Sequence, residues 1–268
     1  MKSKYYILLA QLIIIFSAVV VMAGELEETF DKSYPLQPGQ HFYLRNVNGK
    51  VQIYGWDREE VRIMAVKRVR AGNRRYAEQV LNEIDIRIDQ DDEGIRVETY
   101  IPKSTSRGFL SWLFDGFGSH DISVRYEIWL PEDVYAEIRT VNGSIYAEKI
   151  RGELELRTTN GKIRVENVGG RLTARTTNGS VAVELVDVDP DADIRVRTTN
   201  GSVRVWLPED FAGILEAKTT NGSISTDFPV EVSGKITRRS LRGRVGDGTA
   251  RCSVSTTNGS VKILKIEK

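Results

Sequence analysis

Leu154-Glu155-Leu156-Arg157-Thr158-Thr159-Asn160-Gly161-Lys162-Ile163-Arg164-Val165 is the stretch whose reading decides the fold. Leu154, Leu156 and Thr158 share one phase before Asn-Gly, and Ile163 and Val165 share it after. Period-two alternation of apolar and charged residues means strands with one buried face. Asn-Gly between them supplies positive φ at little steric cost, so the chain turns sharply there. The pattern recurs in Leu172, Ala174, Thr176 with Val181 and Val183, and in Ile194, Val196, Thr198 with Val203 and Val205. It recurs again in Cys252, Val254, Thr256 with Val261 and Ile263, which puts the single cysteine on the inward phase as a small hydrophobe. Thr on that phase can hydrogen-bond at the corner and stack on its equivalent in the next unit.

Asn-Gly occurs seven times, at Asn48, Asn142, Asn160, Asn178, Asn200, Asn221 and Asn258. From Asn142 onward the spacings are 18, 18, 22, 21 and 37 residues. Ser240-Leu241-Arg242-Gly243-Arg244-Val245 reads as a degenerate copy that divides the last interval, with Gly243 at the corner. A repeat near 20 residues is the mark of a stack in which each unit buries its apolar face on its neighbours. A meander of hairpins and a β-solenoid with strands about 4.8 Å apart both fit. Each opposes some like charges, but the near-identical corners and short period favour the solenoid. The expected fold class is all-β, a single-stranded β-helix-like solenoid with one short helix in the N-terminal part.

That N-terminal part is less regular. His41–Arg45 and Lys50–Tyr54 read as a first strand pair around Asn48-Gly49, and Val61–Val69 as a further strand. Asn73–Asn82 carries Tyr76, Val80 and Leu81 at helical spacing. Ile84–Asp89 and Ile95–Ile101 flank Asp91-Asp92-Glu93-Gly94, a hairpin signal. Residues 104–119 read as a loop and Asp121–Leu130 as a strand ended by Pro131.

Residues 1–23 read as a secretory leader: Lys2 and Lys4, an apolar run from Ile7 to Val21, then Val21-Met22-Ala23 before Gly24. The expected division is leader 1–23, an N-terminal β-rich part 24–130, and a repeat region 131–268 continuous with it. Cleavage would place the protein in the periplasm, at the cell surface or outside the cell. The whole chain has 38 basic and 37 acidic side chains, and loss of Lys2 and Lys4 leaves 36 against 37, a net charge of −1. That excludes the basic field of a dedicated nucleic-acid binder. One cysteine excludes an intramolecular disulfide and a Cys-rich zinc site.

The sequence resembles a bacterial family of exported β-strand-repeat proteins catalogued as adhesins, of otherwise unknown function. The resemblance lies in N-V-N-G-K-V-Q-I-Y-G-W-D at Asn46–Asp57, in V-R-Y-E-I-W-L-P at Val124–Pro131, in the T-[TV]-N-G-[SK]-[IV] corners, and in R-G-R-V-G-D-G at Arg242–Gly248. It implies a β-solenoid and an envelope location, and brings no catalytic residues with it.

No nucleophile-elbow, zinc-helix or phosphate-loop motif is present, and nothing calls for a cofactor. Glu148, Glu166, Glu184 and Asp227 occupy equivalent positions and could form an acidic column of the kind a sugar-cleaving enzyme uses. Asp187, Asp189, Asp191 and Asp193 alternate but fail the calcium-loop rule at Ala192 and Thr198. Arg139, Arg157, Arg175, Arg197 and Lys218 share one outward position, a basic stripe for an anionic polymer, offset by Glu137, Glu155 and Glu216. The loop residues Phe109, Leu110, Trp112, Leu113, Phe114 and Phe117 form an apolar cluster that would either cap the stack or contact a partner or a membrane surface. The expectation is a non-enzymatic, exported envelope protein, adhesin-like or structural, whose partner is an envelope protein or polysaccharide. A polysaccharide-active enzyme and an envelope-stress regulator acting through a protein partner are the alternatives.

Overall fold

A computed structural model describes residues 19–22, 25–101, 121–232 and 237–266. The chain begins with β1 (Val19–Met22), β2 (Glu25–Pro35), β3 (His41–Arg45), β4 (Val51–Trp56) and β5 (Glu60–Arg70). Helix α1 (Arg74–Glu83) follows, then β6 (Asp85–Gln90), β7 (Gly94–Tyr100) and β8 (Asp121–Pro131). The repeats supply β9 (Tyr135–Arg139), β10 (Ile145–Glu148), β11 (Leu154–Asn160), β12 (Ile163–Val168), β13 (Leu172–Asn178), β14 (Val181–Leu185), β15 (Asp193–Arg197) and β16 (Val203–Leu207). The chain ends with β17 (Gly213–Asn221), β18 (Ile224–Thr226), β19 (Glu231–Val232), β20 (Ser240–Val245), β21 (Ala250–Asn258) and β22 (Val261–Lys265).

The strands form two 11-stranded sheets. One, sheet A, runs β1-β2-β5-β8-β4-β10-β12-β14-β16-β22-β18; the other, sheet B, runs β19-β20-β17-β21-β15-β13-β11-β9-β3-β7-β6. The strands on either side of each Asn-Gly do not pair with one another: β11 pairs in parallel with β9 and β13 in sheet B, and β12 with β10 and β14 in sheet A. Asn-Gly therefore carries the chain from one sheet to the other, and β3 and β4 likewise lie in different sheets. From β8 to β18 and from β7 to β17 the two orders match strand for strand, so β7 and β8 stand as one more layer of the stack. Residues 102–120 join these two strands, where every other layer has Asn-Gly.

The inward phase is the core. Leu154, Leu156, Ile163, Val165, Leu172, Ala174, Val181 and Val183 are buried, and each layer rests on equivalent residues of the next. Burial of such a side chain stabilises by roughly 1.5–3 kcal/mol. Antiparallel strands flank the stack, with β5, β2 and β1 beyond β8, β6 beyond β7, and β20 and β19 beyond β17. Thus β1, inside the stretch read as a leader, pairs with the first residues of β2. The helix starts at Asn73, whose side chain accepts from the Tyr76 backbone N–H, and it buries Ala77, Val80 and Leu81.

Two expectations need correction. Ser240–Val245 is not a degenerate corner: β20 is an antiparallel partner of β17, with Gly243 opposite Leu215. The layers also do not follow chain order. The C-terminal layer, β21 and β22, lies between β15/β16 and β17/β18. Among the described residues the 37-residue interval therefore holds an excursion through β19 and β20 and no further layer.

The corners themselves are polar ladders. Asn142 donates its side-chain N–H to Asn48, Asn160 to Asn142, Asn178 to Asn160, Asn200 to Asn178, Asn258 to Asn200 and Asn221 to Asn258, all at 2.7–2.9 Å. Beside this row the buried threonines donate to glycine carbonyls one layer away: Thr158 to Gly143, Thr176 to Gly161 and Thr198 to Gly179, at 2.8–2.9 Å. In the first layer Asn46 takes the threonine place and donates to the Val124 carbonyl at 2.8 Å, which ties the corner to β8.

Candidate binding faces

Strand alternation puts every second residue on the outer face, and parallel register then lines up equivalent residues from layer to layer. On sheet B the predicted stripe forms over most of its length. Arg139 lies opposite Arg157, Arg157 opposite Arg175, and Arg175 opposite Arg197. Arg45 extends the row beyond Arg139. Lys218 does not stack on Arg197, because the inserted C-terminal layer places Ser255 between them.

Like charges directly opposite each other on a sheet repel. At one end the repulsion is offset, since Glu137 pairs with Arg139 and Glu155 with Arg157 along the same strands. Further along, the residues two before the arginine are Thr173 and Arg195, so the offset ends. Arg195 is itself held by Asp193. Arg175 and Arg197 are exposed and have no ion pair among the described residues.

The outer face of sheet A differs in kind. Tyr54, Trp129 and Tyr146 lie on the adjacent strands β4, β8 and β10. The Tyr54 and Trp129 rings stack at 5.8 Å with 25° between planes, and Tyr146 lies 5.8 Å from Tyr54 on its other side. Arg62 sits 5.4 Å above the Trp129 ring while hydrogen-bonded to Asp31. Glu148 faces Glu166 in register, and the Tyr146 hydroxyl lies 3.0 Å from the first and 2.6 Å from the second. The hydrogen bond from Tyr146, and behind it the Arg164 guanidinium, hold the Glu166 carboxyl below its ordinary range against the opposing effect of burial. Burial first, and then its hydrogen bonds to Glu166 and Glu148, push the Tyr146 phenol up.

The acidic column does not run as the spacing suggests. A bulge between Val165 and Val168, with Asn167 at φ 52°, interrupts the register with β14 after Val165, so Glu166 does not face Glu184. Glu184 faces Trp206, and Asp227 lies past the end of β18. Among Asp187, Asp189, Asp191 and Asp193, Asp191 pairs with Arg171 and Asp193 with Arg195. Among the described residues no three His, Cys, Asp or Glu side chains converge where a metal ion could be held. Cys252 is fully buried, as its phase predicts, and burial pushes its thiol up to about 12. Phe109, Leu110, Trp112, Leu113, Phe114 and Phe117 lie outside the described residues. Among those that are described, no helix is long and apolar enough to cross a membrane.

Sequence reading missed Arg45, the asparagine ladder and the aromatic row. Arg45 stands three residues before Asn48, as Arg139 stands three before Asn142, so aligning the first corner with the others would have found it. Tyr54, Trp129 and Tyr146 come from distant stretches, and only the parallel pairing brings them together.

The chain is similar to several solved structures. One is described as a "putative cell adhesion protein" from Clostridium sporogenes, with 15% identity, 89% of this chain and 100% of that chain covered, and a TM-score of 0.42. A "putative adhesin" from Bacteroides fragilis shows 12% identity, coverage of 89% and 97%, and a TM-score of 0.41. A "putative lipid binding protein" from Parabacteroides distasonis shows 11% identity, coverage of 89% and 97%, and a TM-score of 0.31. No curated protein matches the chain. The family model Toastrack DUF4097 matches residues 134–264, from the strand before the second Asn-Gly corner to the last strand, and this stretch of the chain is a Toastrack domain.

Proposed function

We propose that this chain is an exported, non-enzymatic binding scaffold of the cell envelope, a β-solenoid whose outer faces hold rows of like side chains for an extended partner. The alternation of successive strands between two parallel-stacked sheets supports the solenoid reading. The observation that carries the function is Arg175 opposite Arg197 with neither arginine paired to a carboxylate among the described residues. Two stacked guanidiniums left without counter-ions are destabilising for the fold alone, and an anionic polymer lying along the stack relieves the repulsion. Adjacent strands are about 4.8 Å apart, so successive arginines meet successive groups of a linear chain. The geometry fits an envelope polymer rich in phosphate or carboxylate.

The test uses the chain without residues 1–23, titrated with a phosphate-rich envelope polymer such as a teichoic acid and with neutral dextran. Binding to the anionic polymer, loss of that binding as salt rises, and none to dextran are expected. No binding to the anionic polymer at low salt, or release of sugar or phosphate fragments from it, would overturn the reading.

A further inference from the structure

The aromatic row on sheet A has no part in the arginine stripe, and the charges around it do not balance. Two carboxylates, Glu148 and Glu166, face each other in register, yet one guanidinium, Arg164, serves them, and it is bound to Glu166. The Tyr146 hydroxyl has one proton and lies within hydrogen-bond distance of both, so it satisfies one at a time. Glu127 is a third carboxylate beside this site, and neither it nor Glu148 has an ion pair among the described residues. Both charges act on the Tyr54 phenol and help burial raise its pKa. Arg62, the cation closest to the rings, is held by Asp31. The site is thus three aromatic rings in a row with uncompensated negative charge on two sides.

Aromatic faces flanked by carboxylates attract an organic cation. The row is half-buried and crosses three adjacent strands, so it suits a linear polymer running across the strands better than a compact molecule. A peptide would lack its usual means of attachment here, because β4, β8 and β10 are interior strands whose backbone groups are already paired. A pyranose ring offers an apolar C–H face to an aromatic ring and hydroxyls to Gln52 and the carboxylates.

We propose that Tyr54, Trp129 and Tyr146, with Glu127 and Glu148, bind a linear glycan that carries free amino groups. The sugar rings pack along the Tyr54 and Tyr146 rings and the part of Trp129 that Arg62 leaves uncovered, and the two carboxylates receive the ammonium groups. This rests on the reading of the sheet faces as binding surfaces, and it uses the face opposite the arginine stripe.

The experiment is calorimetric titration of the chain without residues 1–23 with a β-1,4-linked glucosamine hexamer, its N-acetylated counterpart, and an oligolysine of equal charge. The glucosamine hexamer is expected to bind at least roughly tenfold more tightly than either. Glu148→Gln, which keeps the shape of the site, is expected to weaken the glucosamine hexamer roughly threefold to tenfold. Trp129→Ala is expected to abolish its binding, with the thermal melt recorded for each variant. Failure of the glucosamine hexamer to bind, equal binding of the N-acetylated hexamer, tighter binding of oligolysine, or an unchanged affinity in a folded Glu148→Gln variant would each overturn the proposal. If these arms fail while the anionic polymer still binds, the glycan site alone falls. If both titrations fail, the binding-scaffold reading falls with it.

Discussion

The Asn160 side chain donates to the Asn142 side-chain oxygen at 2.7 Å, and Asn178 donates in turn to Asn160 at 2.8 Å. Each corner asparagine between these layers is both donor and acceptor, so the row is a chain of aligned amides of the kind that reinforce one another. Asn160→Ala removes two of these bonds at an exposed position and is expected to cost about 1–2 kcal/mol in urea unfolding. Asn160→Asp keeps the acceptor toward Asn178 but loses the donor toward Asn142, and it should cost less than the alanine. Equal stability of both variants with the parent would mean the ladder adds nothing to the fold.

Gly179 shows why its corner needs glycine. Positive φ is expected from Asn-Gly, but in this turn the glycine φ lies outside the left-handed region; Gly49 and Gly259, at the equivalent place, have φ of 123° and 155°. At Gly179 the constraint is the neighbouring layer, because an added Cβ would stand 2.0 Å from the Gly161 carbonyl oxygen. Gly179→Ala should therefore destabilise by about 1–3 kcal/mol through overpacking. Gly72→Ala, where a Cβ meets nothing within 4 Å, should be neutral or slightly stabilising. Equal melting shifts for the two would contradict the close stacking of the corners.

Cys252 is enclosed between the sheets, opposite Ile194 and Leu215. With its thiol pushed up to about 12, it should resist a thiol-specific reagent at pH 9 in the native protein and react fully in denaturant. Rapid native labelling would place it outside the core.

The Tyr146–Glu166 contact gives two pH limits of opposite sign. Glu166 has a lowered folded pKa, so its contribution to stability is complete above the ordinary carboxylate value of 4.5 and is lost as pH falls through the folded value. Tyr146 has a raised folded pKa, so its contribution is complete below the ordinary phenol value of 10 and is lost as pH rises through the folded value. Tyr146→Phe should move the Glu166 carboxyl back toward 4.5 in an NMR titration and reduce the loss of stability at alkaline pH. An unmoved Glu166 titration would show that Arg164 alone holds it.

What the sequence carried best was local. Alternation identified the inward residues Leu154, Leu156, Thr158, Ile163 and Val165, because a one-residue error would have exposed the whole set. The hairpin at Asp91 was legible from its turn residues, and the Asp91 carboxylate accepts from the Glu93 and Gly94 backbone N–H groups. Layer order was not legible, since Cys252 and Leu215 fit equally well beside Ile194 by phase and size alone. For the same reason the stripe was read one residue too far, at Lys218, and one too short, at Arg45. The sheet A aromatic row depends on pairing between residues as far apart as Tyr54 and Tyr146, which no local pattern encodes.

Arg175 and Arg197 stack as unpaired cations on the outer face of sheet B, and the salt dependence of polymer binding tests their role most directly. Arg175→Ala with Arg197→Ala removes two positive charges from the outer face of sheet B. Arg74→Ala with Arg75→Ala removes two from the exposed side of α1, which packs on β2 and β5, so the net charge of the two variants is the same. The slope of log Kd against log salt for an anionic envelope polymer reports how many charge contacts are made. The Arg175/Arg197 pair is expected to weaken binding and flatten this slope, and the Arg74/Arg75 pair to leave both unchanged. Equal effects from the two pairs, or none from Arg175/Arg197, would contradict that role.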